Sequence, residues 1–164
     1  MAPVSIRSAF LVLSCAALFH CGGAATERTA GAIAPPAGDP CAGISDDDRA
    51  KGPLSDRSRI EGASDLVESV PLGKTSWAHV RGAKVVVRSE PGLTGAWLTR
   101  LARCHVAMRA AGAPAADAAL DPLAVGSPEV TAFERDASLV VIIRGRTDDE
   151  GREIARRARH VAGL

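Results

Sequence analysis

Five consecutive apolar residues, Leu139-Val140-Val141-Ile142-Ile143, constrain the fold of this chain more than any other stretch. The run is largely β-branched, bounded by polar residues and without the alternation of a strand that has one wet face. It predicts a central strand covered on both faces. The neighbouring segment 130–134 reads as a second strand, and Arg135-Asp136-Ala137 supplies a tight turn between the two, so the pair predicts an antiparallel hairpin.

The residues on either side complete a pattern. Residues 83–88 (AKVVVR) are short and β-branched, which predicts a strand, and Ser89-Glu90-Pro91-Gly92 is turn chemistry. Thr94 is then a fair N-cap for a helix to about residue 111, where Gly112 and Pro114 end it. Trp97, Leu101, Cys104 and Met108 recur at helical spacing as its expected core stripe, with Leu98 and His105 along the edge. Residues 114–127 read as a loop. Near the C-terminus, Thr147-Asp148-Asp149-Glu150 has the spacing of a capping box, and Arg156, Arg157 and Arg159 complement the dipole at the helix end. Ile154, Ala158 and Val161 form that helix's buried stripe. Asp148–Arg152 and Glu153–Arg157 are spaced for surface pairs. The order β-α-β-β-α predicts an α+β fold, a two-layer sandwich resembling a ferredoxin-like unit that lacks its last strand. Two helices cover one face, so the second face is expected to need the 54–70 segment, a partner chain or a ligand.

The N-terminal third has a different character. Arg7 precedes an apolar run, Ser8 to Phe19, too short to span a bilayer, and Cys21-Gly22-Gly23 follows it. This is the pattern of a lipoprotein signal in which the Cys21 thiol is acylated and becomes the first residue. Cys15 offers a second place, after Val12-Leu13-Ser14, and cleavage after Ala25 would give ordinary secretion; all three readings mean export. The expected organisation is a signal peptide at 1–20, a flexible tether at 21–53, a partly ordered extension at 54–74 and a small α+β domain at 75–164. The tether is rich in Ala, Gly, Pro and Asp, and its Asp46-Asp47-Asp48 reads as a solvated charge run without the alternating carboxylates and turn glycine of a calcium loop. In the extension, Ile60, Leu66, Val67 and Val70 suit either a short helix or an edge strand.

Composition excludes some functions. The formal charge is +1, and losing Arg7 with the leader leaves acids and bases in balance, which is not how a protein holds phosphate backbones. The chain has no tyrosine, and beyond the leader only Trp77, Trp97 and Phe133 are aromatic, so stacking platforms for bases or sugars are not offered. Both tryptophans are expected in the core. If Cys21 carries lipid, Cys41 and Cys104 are the remaining thiols past it, and an oxidising compartment predicts that they pair.

Val80-Arg81-Gly82-Ala83, Pro91-Gly92-Leu93-Thr94 with Trp97-Leu98, Cys104-His105, and Arg152-Glu153-Ile154 with Arg156-Arg157-Ala158 resemble a group of uncharacterised small bacterial lipoproteins. The resemblance covers about the second two-thirds of the chain. It implies export and a shared α+β domain but no activity. Many members carry a second cysteine before a Pro-Leu pair, and here Asp121 stands in that slot, before Pro122-Leu123.

Few residues offer chemistry. Cys104 and His105 are adjacent, so on a helix their side chains point about 100° apart, which suits neither a shared metal nor a nucleophile–base pair. No catalytic residue, metal site or cofactor is expected, and the basic last turn reads as a solvated face. The expectation is a non-enzymatic envelope lipoprotein, membrane-anchored through Cys21 and facing the periplasm from the outer membrane. It would bind no nucleic acid and would meet an envelope protein at an unpaired sheet edge beside 83–88 or 130–134. The rival expectation is a periplasmic metal-binding or thiol-redox protein using Cys104 with His105 or His79.

Overall fold

The structure, a computed structural model, describes residues 38–114 and 118–164. Cys15, Cys21, Ala25 and the signal peptide expected at 1–20 lie outside the described residues. One four-stranded antiparallel sheet carries the fold, with strands β1 (Ile60–Leu72), β2 (Thr75–Arg88), β3 (Glu129–Arg135) and β4 (Ser138–Arg144) in the spatial order β1-β2-β4-β3. Helices α2 (Gly95–Ala110) and α3 (Asp148–Val161) pack on one face of it, and a short helix α1 (Asp46–Lys51) packs against α2. The protein is thus an α+β fold with its helices layered on the sheet.

From β2 onward the order is β-α-β-β-α, as expected. In this arrangement β2 and β3 run parallel with β4 between them, the split β-α-β of a ferredoxin-like unit. The outer place beside the unit's first strand, which a strand after α3 would fill, is taken by β1 from the N-terminal side. Residues 54–74, read as a partly ordered extension, therefore supply a full edge strand.

The main core lies between the helices and alternate residues of the inner strands. Val85 and Val87 of β2, and Leu139, Val141 and Ile143 of β4, meet Leu98 and Ala102 of α2 and Ile154 and Ala158 of α3. Two glycines let the helices come close. A Cβ on Gly151 would stand 2.4 Å from the Val80 carbonyl oxygen, and one on Gly95 would stand 2.7 Å from the Phe133 Cα. Pro122 and Leu123, in a 3-10 turn within the 114–127 loop, are buried between the helices.

Three expectations need correction. Among the described residues no element packs on the second sheet face, so the apolar run of β4 is covered on one side only; Val140 on that second face is shielded, and Ile142 half-shielded, beside the strand neighbours Val86, Phe133 and Thr131. The stripe on α2 is rotated. Leu98 and Ala102 meet the sheet, whereas Trp97, Leu101, Cys104 and Met108 face the N-terminal segment in a satellite cluster with Cys41 and Ile44. Residues 38–53, placed in the 21–53 tether, instead form a turn and α1. Ser45 Oγ accepts from the Asp48 amide, the Asp46-Asp47-Asp48 run fills the first turn where the dipole favours acids, and Ile44 is buried.

Candidate functional site

Cys41 and Cys104 are joined. Their sulfurs lie 2.02 Å apart and their Cα atoms 4.7 Å apart, linking the N-terminal segment to the middle of α2. Cys104 is fully buried, and Ile44, Leu101, Trp97 and Met108 surround the bridge. Arg100 reinforces it by donating from Nη2 to the Ala42 carbonyl at 2.6 Å, and Arg49 donates to the Cys41 carbonyl at 3.0 Å. In this state Cys104 has no thiolate to serve as nucleophile or metal ligand.

His105, next along α2, points elsewhere. Its Nε2 lies 2.6 Å from Asp121 Oδ2, within hydrogen-bond distance, and Asp121 Oδ1 accepts from the Leu123 amide at 2.9 Å. Arg109 Nε sits 4.0 Å from the same carboxylate while its Nη1 donates to the Ala113 carbonyl at 2.7 Å. Burial by itself would raise the Asp121 pKa. The hydrogen bonds from His105 and Leu123, with the charges of His105 and Arg109, outweigh it and hold the carboxyl below its ordinary value. Nδ1 of His105 is buried without a partner, and a Cβ on Gly52 would lie 3.2 Å from it. A shallow cavity of about 200 Å³ borders His105, Arg109 and Asp121, and the nearby Ser55 hydroxyl donates to the Gly52 carbonyl at 3.1 Å. With Nδ1 sealed under Gly52 and the other nitrogen committed to Asp121, the imidazole ties α2 to the Pro122 turn. Asp121, the slot that the resemblance gives to cysteine, serves the fold through this histidine.

His79 lies in another part of the molecule. Its Nδ1 is 2.7 Å from Asp148 Oδ2, and Arg81 donates to Asp148 Oδ1 at 2.9 Å. Those two bonds, Arg81 first and His79 second, lower the Asp148 pKa. This also explains why Asp148 does not pair with Arg152, which takes Asp149 instead. Cys104, His105 and His79 thus have three separate sets of partners. Among the described residues no group of three His, Cys, Asp or Glu side chains is placed to hold a metal ion.

The sheet edges differ from expectation as well. Residues 83–87 of β2 are paired on both sides, by β1 and β4, and offer no edge, and Arg88 pairs with β4. The outer edge of β3 is taken by α2. Thr99 Oγ1 accepts from the Ala132 amide at 2.7 Å and donates to its carbonyl at 3.3 Å, and Arg103 Nε donates to the Val130 carbonyl at 3.2 Å. Side chains of a covering helix occupy the groups a partner strand would use.

The β1–β2 hairpin carries the feature that the sequence reading missed. β4 pairs with β2 only as far as Gly82, so the rungs from Val67↔Val80 to Leu72↔Thr75 continue beyond the sheet as a two-stranded arm about 20 Å long. A bulge at Arg81–Gly82 starts it; a Cβ on Gly82 would lie 1.8 Å from the Ile143 carbonyl oxygen. Gly73, at φ 63°, leads the two-residue turn at the tip. Val70 lies opposite Trp77 and Leu72 opposite Thr75, so alternation puts Val70, Leu72 and Trp77 on one face. They are 47%, 56% and 59% exposed, and Trp77, expected in the core, stacks on His79 with centroids 5.8 Å apart. At the arm's base, Glu68 meets Arg144 at 2.7 Å and Arg81 at 3.8 Å, so each carboxylate there has a guanidinium. The signal in the sequence was a glycine-led pair between apolar positions at spacing two, with Lys74 the only charged residue from 69 to 78.

No protein-family model, curated protein or solved structure matches the chain. No helix among the described residues is long and apolar enough to cross a membrane.

Proposed function

We propose that this chain is an exported lipoprotein of the cell envelope, acylated at Cys21 and held in the outer membrane facing the periplasm, whose small α+β domain is a non-enzymatic interaction module. The observation that carries the reading is the projecting arm, an apolar surface of Val70, Leu72 and Trp77 displayed on a disulfide-closed domain. Isolated exposed apolar residues are ordinary, but a contiguous strip on a projecting element marks a contact surface. The Cys41–Cys104 bridge supports export, because buried structural disulfides belong to oxidising compartments. The resemblance of its motifs to those of small bacterial lipoproteins would imply the same. The polar clusters around His105 and His79 each tie elements of the fold together, in keeping with a binding role.

Growth with labelled palmitate tests the anchor. The wild-type chain should incorporate the label and Cys21→Ala should not. Undiminished labelling of Cys21→Ala, with loss in Cys15→Ala, would move the anchor to Cys15, and absence of label from both would remove the lipoprotein reading.

A further inference from the structure

We propose that the β1–β2 arm is a lipid-contacting element, with Val70, Leu72 and Trp77 seated in the headgroup region of an anionic phospholipid bilayer and Lys74 at the tip against the phosphates; this rests on the membrane-anchored reading above. The composition of the arm selects this partner. Between Ser69 and Ala78 the sequence is SVPLGKTSWA, with no carboxylate and one cation. The two acids at its base are matched, Asp148 by Arg81 and His79 and Glu68 by Arg144 and Arg81, so neither presents an unpaired negative charge to an anionic surface. Tryptophan favours the membrane–water boundary, where its indole is partly apolar and partly hydrogen-bonded. The arm's backbone groups are paired within the hairpin on one side, and its outer edges stay hydrated if insertion stops at the headgroups.

Geometry adds a second argument. Cys21 precedes Cys41 by twenty residues, and Cys41 is fixed to α2, so the intervening chain spans at most about 70 Å. An acylated Cys21 would keep Cys41 within that distance of the lipid surface, and the arm no farther away than the length of the domain beyond it, so a weak interfacial contact acts as an intramolecular second binding step. A strand-adding protein partner fits less well, because Pro71 has no amide to offer at the outer end of β1.

The native tryptophans provide the probe. Trp97→Phe leaves Trp77 as the sole tryptophan in the full, lipidated chain, which is reconstituted into phosphatidylethanolamine–phosphatidylglycerol vesicles or into phosphatidylcholine vesicles. Circular dichroism checks the fold; if Trp97→Phe misfolds, the fluorotryptophan-labelled native chain resolves both residues by NMR. In the anionic vesicles Trp77 emission should move to the blue, gain protection from acrylamide and be quenched by lipids brominated near the headgroup. In phosphatidylcholine the effects should be smaller. Lys74→Glu should lower bromolipid quenching several-fold, and Leu72→Asp should abolish it. Flotation with the vesicles reads the Cys21 anchor independently of the arm. Protein that floats while Trp77 stays open to acrylamide overturns the arm proposal and leaves the anchor standing. A chain that lacks lipid yet shows Trp77 quenching by bromolipids when vesicles are added keeps the arm and removes the anchor. A blue shift without vesicles that rises with protein concentration, together with a doubled mass in light scattering, assigns the strip to a second copy of this chain and overturns the proposal.

Discussion

Reducing the Cys41–Cys104 bridge is the perturbation whose magnitude follows most directly from the structure. The two residues are 63 apart, and the loop they close contains α1, β1 and β2. In the chain-entropy treatment, a loop of that length constrains the unfolded state by about 4 kcal/mol at 25 °C. The folded state also loses its clamp on the N-terminal segment, which would then rest on Ile44, buried beside Leu101, and on the Arg100–Ala42 hydrogen bond. Burial of one such side chain is worth about 1.5–3 kcal/mol, little enough for residues 39–52 to open locally before the sheet melts. Urea melts of oxidised and reduced Trp77→Phe protein, followed by Trp97 fluorescence for the cluster and far-ultraviolet circular dichroism for the sheet, separate the two effects. The reduced midpoint should fall by about 2 M, and the slope m should rise because an uncrosslinked unfolded chain exposes more surface. Trp97 should respond before the dichroism in the reduced protein and together with it in the oxidised one. Cys41→Ala with Cys104→Ala, which removes both sulfurs without adding a buried hydroxyl, should reproduce the reduced melt. A midpoint shift below about 0.5 M would refute the loop-closure account and imply that the unfolded chain keeps residues 41 and 104 close without the bond.

Two further outcomes concern the helices. In α3, Ile154 is fully buried against the sheet, Thr147 Oγ1 accepts from the Glu150 amide at 3.2 Å, and Arg156 is exposed on a bidentate pair with Glu153; denaturant melts should therefore rank Ile154→Ala (about 2–4 kcal/mol lost) above Thr147→Ala (about 1 kcal/mol) above Arg156→Ala (below about 0.5 kcal/mol), and a costly Arg156→Ala would mean that its face is covered in solution. Because the fold holds the Asp121 carboxyl below its ordinary value of 3.8, its contribution to stability is present above that value and is lost as pH falls through the lowered one; Asp121→Asn should be less stable than wild type at neutral pH, with the gap narrowing on acidification below about pH 4, and a gap independent of pH would refute the role of the ionised Asp121 carboxylate.

Most of the folded unit was legible because local signals agreed with the tertiary outcome. The capping box at Thr147 and Glu150 forms with both reciprocal bonds, and the hairpin turns at Asp136-Ala137, where Asp136 takes φ 55°. On α2 the sequence contains two stripes, because the helix serves two clusters, and periodicity alone does not say which one meets a sheet. The apolar strength of Trp97, Leu101 and Met108 points to the satellite cluster around the disulfide. The smaller Ala102, with Leu98, meets the strands, and Gly95 marks the close approach to β3. β1 was ambiguous for a different reason. Its first half is an edge strand with Asp65 paired to Arg159 on α3, and its second half belongs to an arm outside the sheet, so no single period runs through it. The bond between His105 and Asp121 was illegible, since it depends on where the loop after α2 returns, sixteen residues on.

The placement of β1 decides what kind of surface this domain presents. Filling the outer place of a ferredoxin-like sheet from the N-terminal side means that β1 enters as half of a hairpin, and the hairpin can be longer than the sheet it joins. Lateral extension is resisted at both margins: Thr99 and Arg103 occupy the outer groups of β3, while β1 has irregular register at Ile60/Gly62 and Leu66/Val67 and loses an amide at Pro71. Such devices discourage strand pairing between chains. They leave the excess hairpin as the exposed apolar element, and its base is braced by Glu68, Arg81, Arg144 and Asp148 rather than by a hydrophobic layer. An arm held at its root by ion pairs and unsupported at its tip can present Trp77 and Leu72 to a surface without disturbing the main core, which lies among β2, β4, α2 and α3. Binding at the tip and folding of the domain are thereby separated, so substitutions at Leu72 or Lys74 should change contact with lipid while leaving the urea midpoint of the domain unchanged within about 0.5 kcal/mol.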